Sequence, residues 1–149
     1  MSMQHVTIDD TRAWFQAGER EVFIGGVLDL ATTATTRVRF ARYGRGATHE
    51  WMVTVDETLI VTKGALTVRT ATSTQTARTG EVISLAKGTR VVYRGEEDDT
   101  EVVFVTHVQS ADAPRYVDRA AAIEEPRLTL VPGTISFAGA GVTPLRRGA

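Results

Sequence analysis

Glu50-Trp51-Met52-Val53-Thr54-Val55-Asp56-Glu57-Thr58-Leu59-Ile60-Val61-Thr62-Lys63-Gly64 is the stretch whose reading decides the fold. Apolar residues alternate from Trp51 through Val53 to Val55. Asp56 interrupts, and alternation resumes at Leu59 and Val61 with Glu57 in step. A period of two puts these side chains on one face of consecutive strands, so one carboxylate stands in a row otherwise turned to an apolar core. Asp56 falls on the opposite face, which makes it a turn residue and not half of a catalytic dyad. Lys63-Gly64 lies between two β-rich runs and predicts a hairpin, with Gly64 free to take positive φ.

The same pattern extends both ways. Strands are expected at residues 21–24, 36–43, 51–55, 58–62, 65–71, 74–77, 82–85, 89–93 and 101–108, separated by Gly-containing turns or the acidic run Glu96-Glu97-Asp98-Asp99. Short strands at even spacing without intervening helices indicate an all-β antiparallel sandwich or barrel. Helix is expected only at the flanks, over residues 11–18 and 114–124, the latter ending before Pro126. Residues 127–131 and 134–137 predict a small hairpin, and residues 139–149 a frayed tail. The division is an arm (1–20), a barrel (21–110), and a C-terminal helix with an extended tail (111–149).

The chain has 149 residues, 17 Lys plus Arg against 18 Asp plus Glu, a net charge of −1 and no Cys. That length can bury a sizeable core unaided. The missing Cys excludes disulfide scaffolds, thiol catalysis and thiolate-bound metals. Balanced charge advertises no nucleic-acid surface. With neither a secretory signal nor an apolar run of about 20 residues, no membrane span and a cytoplasmic location are expected. No phosphate-binding loop or nucleophile elbow is present.

Residues 50–64 resemble the first motif of the cupin superfamily, G-x5-H-x-H-x(3,4)-E-x6-G, in which Glu57 and Gly64 fit the second half. Residues 80–91 resemble the second, G-x5-P-x-G-x2-H-x3-N. Gly80 and Gly88 are in place, while Ala86 and Val91 stand for the proline and histidine. Within the superfamily, Glu50, Trp51, Asp56 and Glu57 resemble the EutQ-like branch, named for ethanolamine utilisation. The resemblance implies a single double-stranded β-helix, or jelly-roll barrel, working as a homodimer, with residues 21–24 and 127–131 as candidate edge cover. It also implies a link to amine metabolism and an acetate kinase-like alternative, for which no nucleotide site is found in the chain.

Cupins that bind a metal use two His and the Glu of the first motif with the His of the second. Here Trp51, Val53 and Val91 fill those positions, or Glu50, Met52 and Val91 at the longer spacing, and neither indole nor valine ligates a divalent ion. No cofactor is therefore expected, with a rearranged metal site of His49, Glu57 and His107 as the alternative. His49 otherwise reads as a rim or surface histidine and His107 as a strand end near solvent. The lumen is expected to hold Trp51, Tyr93 and Glu57, with Arg90, Val92 and Arg94 outside. Glu57 and Tyr93 are the candidate catalytic residues; Trp51, Glu57, Tyr93 and His49 are the candidate ligand-binding residues. A buried Glu57 has a raised pKa and suits proton transfer or ligand binding, unless Tyr93 or backbone amides simply satisfy it. Arg37 and Arg39 share a face with Tyr43 and are read as outward; turned inward, they would hold a carboxylate or phosphate. Trp14 and Phe15 are expected to cover the barrel or a subunit contact. Three functions compete: binding of a small polar metabolite without metal, lyase or isomerase chemistry through Glu57, and a structural or regulatory barrel.

Overall fold

The computed structural model of the chain describes residues 3–11, 13–25, 36–107, 128–132, 135–138 and 141–144. A 3-10 turn, Ile8–Asp10, precedes β1 (Ala13–Ala17), β2 (Val22–Gly25), β3 (Thr36–Tyr43), β4 (Thr48–Met52), β5 (Glu57–Lys63), β6 (Ala65–Arg69) and β7 (Thr74–Arg78). There follow β8 (Val82–Leu85), β9 (Arg90–Gly95), β10 (Thr100–His107), β11 (Leu128–Pro132), β12 (Ile135–Ala138) and β13 (Gly141–Pro144). A seven-stranded sheet runs β11-β1-β2-β3-β10-β5-β8 and packs against a four-stranded sheet, β4-β9-β6-β7; β12 pairs with β13. All pairings are antiparallel. The all-β antiparallel architecture expected from the alternation forms, and it is the jelly-roll that the resemblance implied. No helix among the described residues is long and apolar enough to cross a membrane.

Alternation sets the core. Trp51, Val53, Val55, Leu59, Val61, Val91 and Tyr93 are buried as their register requires, while Arg90 and Arg94 are exposed. Fully burying one such aliphatic side chain stabilises the fold by roughly 1.5–3 kcal/mol. A second apolar cluster of Trp14, Phe23, Phe40 and Val131 lies apart from this core, packed by Ile8 and Val103. In register these alternate with inward Val22, Ala41 and Tyr43, so they cover the outer face of the large sheet.

Several expectations need correction. Residues 13–17 form a strand, not a helix. Weak helix propensity there yields to pairing with β2 and β11 on either side. Lys63-Gly64 closes no hairpin: β5 pairs with β10 and β8, whereas β6 pairs with β7 and β9. The chain crosses between sheets at this point. Gly64 does take positive φ (+75°), and an added Cβ would lie 2.8 Å from Thr100 Oγ1, so the crossing needs glycine twice over. β2 is an interior strand of its sheet and covers no edge. The hairpin expected between 127–131 and 134–137 does not form: β11 pairs with β1, and β12 pairs with β13, which lies in the expected frayed tail. The helix expected at 114–124 lies outside the described residues.

Candidate functional site

One end of the barrel gathers the polar interior. The start of β5 places Glu57 opposite Thr106 on β10 and Leu85 on β8. On β3, Arg39 pairs with inward Phe104 and is two residues from buried Ala41, so its side chain faces the lumen. The outward reading of Arg39 is therefore wrong. The neighbouring sheet sets His49 opposite Tyr93 and Trp51 opposite Val91. Tyr93 Oη donates a 2.8 Å hydrogen bond to Glu57 Oε1 across the barrel. His49 is 2% exposed, so it is no rim or surface histidine. Its ring lies 5.6 Å from the Trp51 ring and 6.1 Å from that of Tyr93. Tyr43 stands 6.4 Å from Tyr93, and Phe104 meets Tyr93 edge-on at 5.7 Å.

Burial dominates the electrostatics. It pushes the Glu57 carboxyl above its ordinary value, against the pull of the Arg39 charge and the Tyr93 hydrogen bond. The hydroxyls of Tyr43 and Tyr93 are pushed up by burial and then by the Glu57 charge. Burial, with smaller contributions from Arg20 and Arg39, lowers His49 to about 4, so it is neutral near pH 7. Burial lowers Arg39 too, opposed by Glu57, but a guanidinium keeps its proton. Neither ring nitrogen of His49, nor the Tyr43 or Thr106 hydroxyl, has a hydrogen-bond partner among the described residues. Buried polar groups are rarely left so, which marks a place for a small hydrogen-bonding guest.

Glu57 lines two spaces. Inside is a cavity of about 30 Å³, the room of one water, lined by Arg39, Tyr43, His49, Trp51, Glu57 and Tyr93 with Ile24 and Phe104. Outside is a cleft of about 600 Å³ lined by Thr36, Asp56, Glu57, Ser84, Thr106 and His107, among others. Asp56 is exposed, as a turn residue should be, and its Oδ1 accepts from the Lys87 amide at 3.0 Å.

The alternative metal set of His49, Glu57 and His107 does not assemble. His107 is exposed and alternates with buried Thr106, on the opposite face of β10 from the lumen. What shares the cavity with Glu57 and His49 is a guanidinium, whose charge opposes a cation. These residues do not fit a divalent metal. Arg39 and Tyr43 are the site residues the sequence reading missed. The signal was present: both share strand parity with Ala41, whose small apolar side chain marks the inner face.

No family model and no curated protein matches the chain. Solved structures do. A Rhizobium leguminosarum bv. viciae 3841 protein of unknown function is 28% identical, with a TM-score of 0.56 over 71% of this chain and 97% of that one. The EutQ protein of Clostridium difficile is 19% identical, with a TM-score of 0.51 over 62% of this chain and 66% of that one. An RmlC-like cupin from Shewanella frigidimarina NCIMB 400 is 10% identical, with a TM-score of 0.59 over 75% of this chain and 96% of that one. With two sheets closed on a lumen, the motif glycines Gly64, Gly80 and Gly88 all at positive φ, and these neighbours, the chain has the cupin fold, the fold that EutQ also adopts.

Proposed function

We propose that this cupin binds a small polar metabolite at the mouth of its barrel without the usual metal, with Glu57 at the floor of the site. The observation that carries this reading is that Glu57 lines both spaces. A cavity the size of one water admits only a terminal group, so the body of the ligand belongs in the cleft of about 600 Å³. Arg39 beside Glu57 weighs against a cationic amine and favours a neutral or acidic ligand. The analogy to ethanolamine utilisation is weakened accordingly.

A second reading, in which Glu57 is the acid/base of a lyase or isomerase, is favoured by the Tyr93–Glu57 hydrogen bond and the raised proton affinity of the carboxyl. The two spaces weigh against a purely structural barrel. A homodimer belongs to this reading, since β7 and β8 are open sheet edges among the described residues. Sedimentation as a monomer would contradict it.

The test is a metabolite screen read by the indole resonance of Trp51 in wild type and Glu57→Gln. Support is a compound that shifts Trp51, binds unchanged with chelator present, and weakens at least about tenfold in the variant, the loss of one charged hydrogen bond. A screen in which binding requires added metal, or ignores the variant, refutes the reading.

A further inference from the structure

The small cavity holds more hydrogen-bonding capacity than the protein uses. Tyr43 is 0% exposed and His49 2% exposed, and among the described residues neither the Tyr43 hydroxyl nor either ring nitrogen of His49 has a hydrogen-bond partner. Both side chains line the space of about 30 Å³, as do Arg39 and Glu57. Neutral imidazole carries one N–H whichever tautomer forms, and a phenol carries one O–H. Two donors therefore border a space sized for one oxygen atom, beside a guanidinium and a carboxylate.

We propose that this cavity is a carbonyl-oxygen pocket, in which Tyr43 and His49 donate hydrogen bonds to the oxygen of a ligand carbonyl while Glu57 removes a proton from the adjacent carbon. The proposal rests on the reading of the cleft as the ligand's seat and deepens it by naming the substrate class, an enolisable carbonyl compound. The step balances without any cofactor. The C–H bond breaks and its electron pair forms a C=C bond. The carbonyl π pair moves onto the oxygen, and the proton goes to the Glu57 carboxylate. Returning a proton to the same carbon restores the substrate with its hydrogen exchanged against solvent; returning it to the former carbonyl carbon of an α-hydroxy carbonyl compound, while the α-hydroxyl proton passes to the oxyanion, completes an isomerisation. Tyr93 engages Oε1 of Glu57, so the other carboxylate oxygen is the one presented for the proton. Arg39 places a positive charge beside the oxyanion as it develops, in surroundings where such a charge acts strongly. A base and an oxyanion pocket that meet at one point are the parts this chemistry needs. With no ligand, one water fits the same space.

The experiment is proton exchange in D2O, followed by NMR, with hydroxyacetone, pyruvate and 2-oxobutyrate as probes and propane-1,2-diol and lactate as their alcohol counterparts. The expected result is protein-dependent loss of the α-protons of a carbonyl probe. Exchange should be abolished in Glu57→Gln and slowed about 10²-fold in Tyr43→Phe, the usual cost of one oxyanion donor. His49→Gln, measured beside it, should slow exchange also. Tyr43→Phe removes only a hydroxyl that has no partner among the described residues, so its thermal midpoint should not fall. Binding of the carbonyl probes at Trp51 without exchange above buffer overturns the proposal and leaves the binding reading standing. Exchange indifferent to both Tyr43→Phe and His49→Gln overturns it too, as does equal affinity for alcohol and carbonyl. Absence of any ligand at Trp51 overturns both readings.

Discussion

Acidification from pH 7.5 towards pH 4 protonates His49 in the unfolded chain well before the folded chain accepts the proton. Burial lowers this imidazole from 6.5 to about 4. A depressed value in a base means that the folded state resists protonation, so the unfolded state binds more protons throughout that window. Stability is complete above the ordinary value and is lost as pH falls through the window towards the folded one. At ~1.4 kcal/mol per tenfold change in acidity, the whole window amounts to about 3 kcal/mol. By pH 5 the loss is about 2 kcal/mol, with a local slope near 1.2 kcal/mol per pH step, on the same linkage relation. That is a large share of the roughly 5–15 kcal/mol that holds a domain folded. The assay is urea unfolding at pH 7.5, 6, 5 and 4.5 for wild type and His49→Gln. Other titrating groups are common to both proteins, so the difference in slope isolates His49. Stability curves that run parallel between pH 6 and pH 4.5 would refute the burial and the depressed value together.

Two further outcomes follow from the geometry. Tyr93→Phe leaves Glu57 Oε1 without its 2.8 Å donor; it should cost about 1–3 kcal/mol in urea unfolding and move the Glu57 titration still higher. Gly64→Ala puts a Cβ at φ +75° and 2.8 Å from Thr100 Oγ1; a loss of more than about 1 kcal/mol is expected, and an unchanged midpoint would contradict the strained crossing.

What could be read from the sequence was what depends on local period and backbone sterics. Alternation around Glu57 put Trp51, Leu59 and Val61 in the lumen, and parity in the second motif put Val91 and Tyr93 there, because side-chain direction in a strand is fixed by parity. Gly64, Gly80 and Gly88 marked turns that take positive φ. Which strands pair was a different matter. Lys63-Gly64 has hairpin chemistry, yet β5 and β6 belong to different sheets, a choice made by residues far apart in sequence. Residues 13–17 carry no strong local preference and took the strand that two partners imposed. Arg39 was misjudged because its charge was allowed to outweigh its parity with Ala41 and Tyr43. A barrel with an acid in its interior tolerates a guanidinium there. His49 was misjudged for a related reason: its imidazole packs against Trp51 and Tyr93 and does not reach for solvent.

The most direct test of the site is a carbon-13 NMR titration of the Glu57 carboxyl. Enclosed against Tyr93 and pushed up by burial, it should show a midpoint above the ordinary glutamate value of 4.5, and the resonance should move when a cleft ligand is added. A midpoint at or below 4.5, unmoved by any ligand, would place Glu57 in water and contradict the site as described.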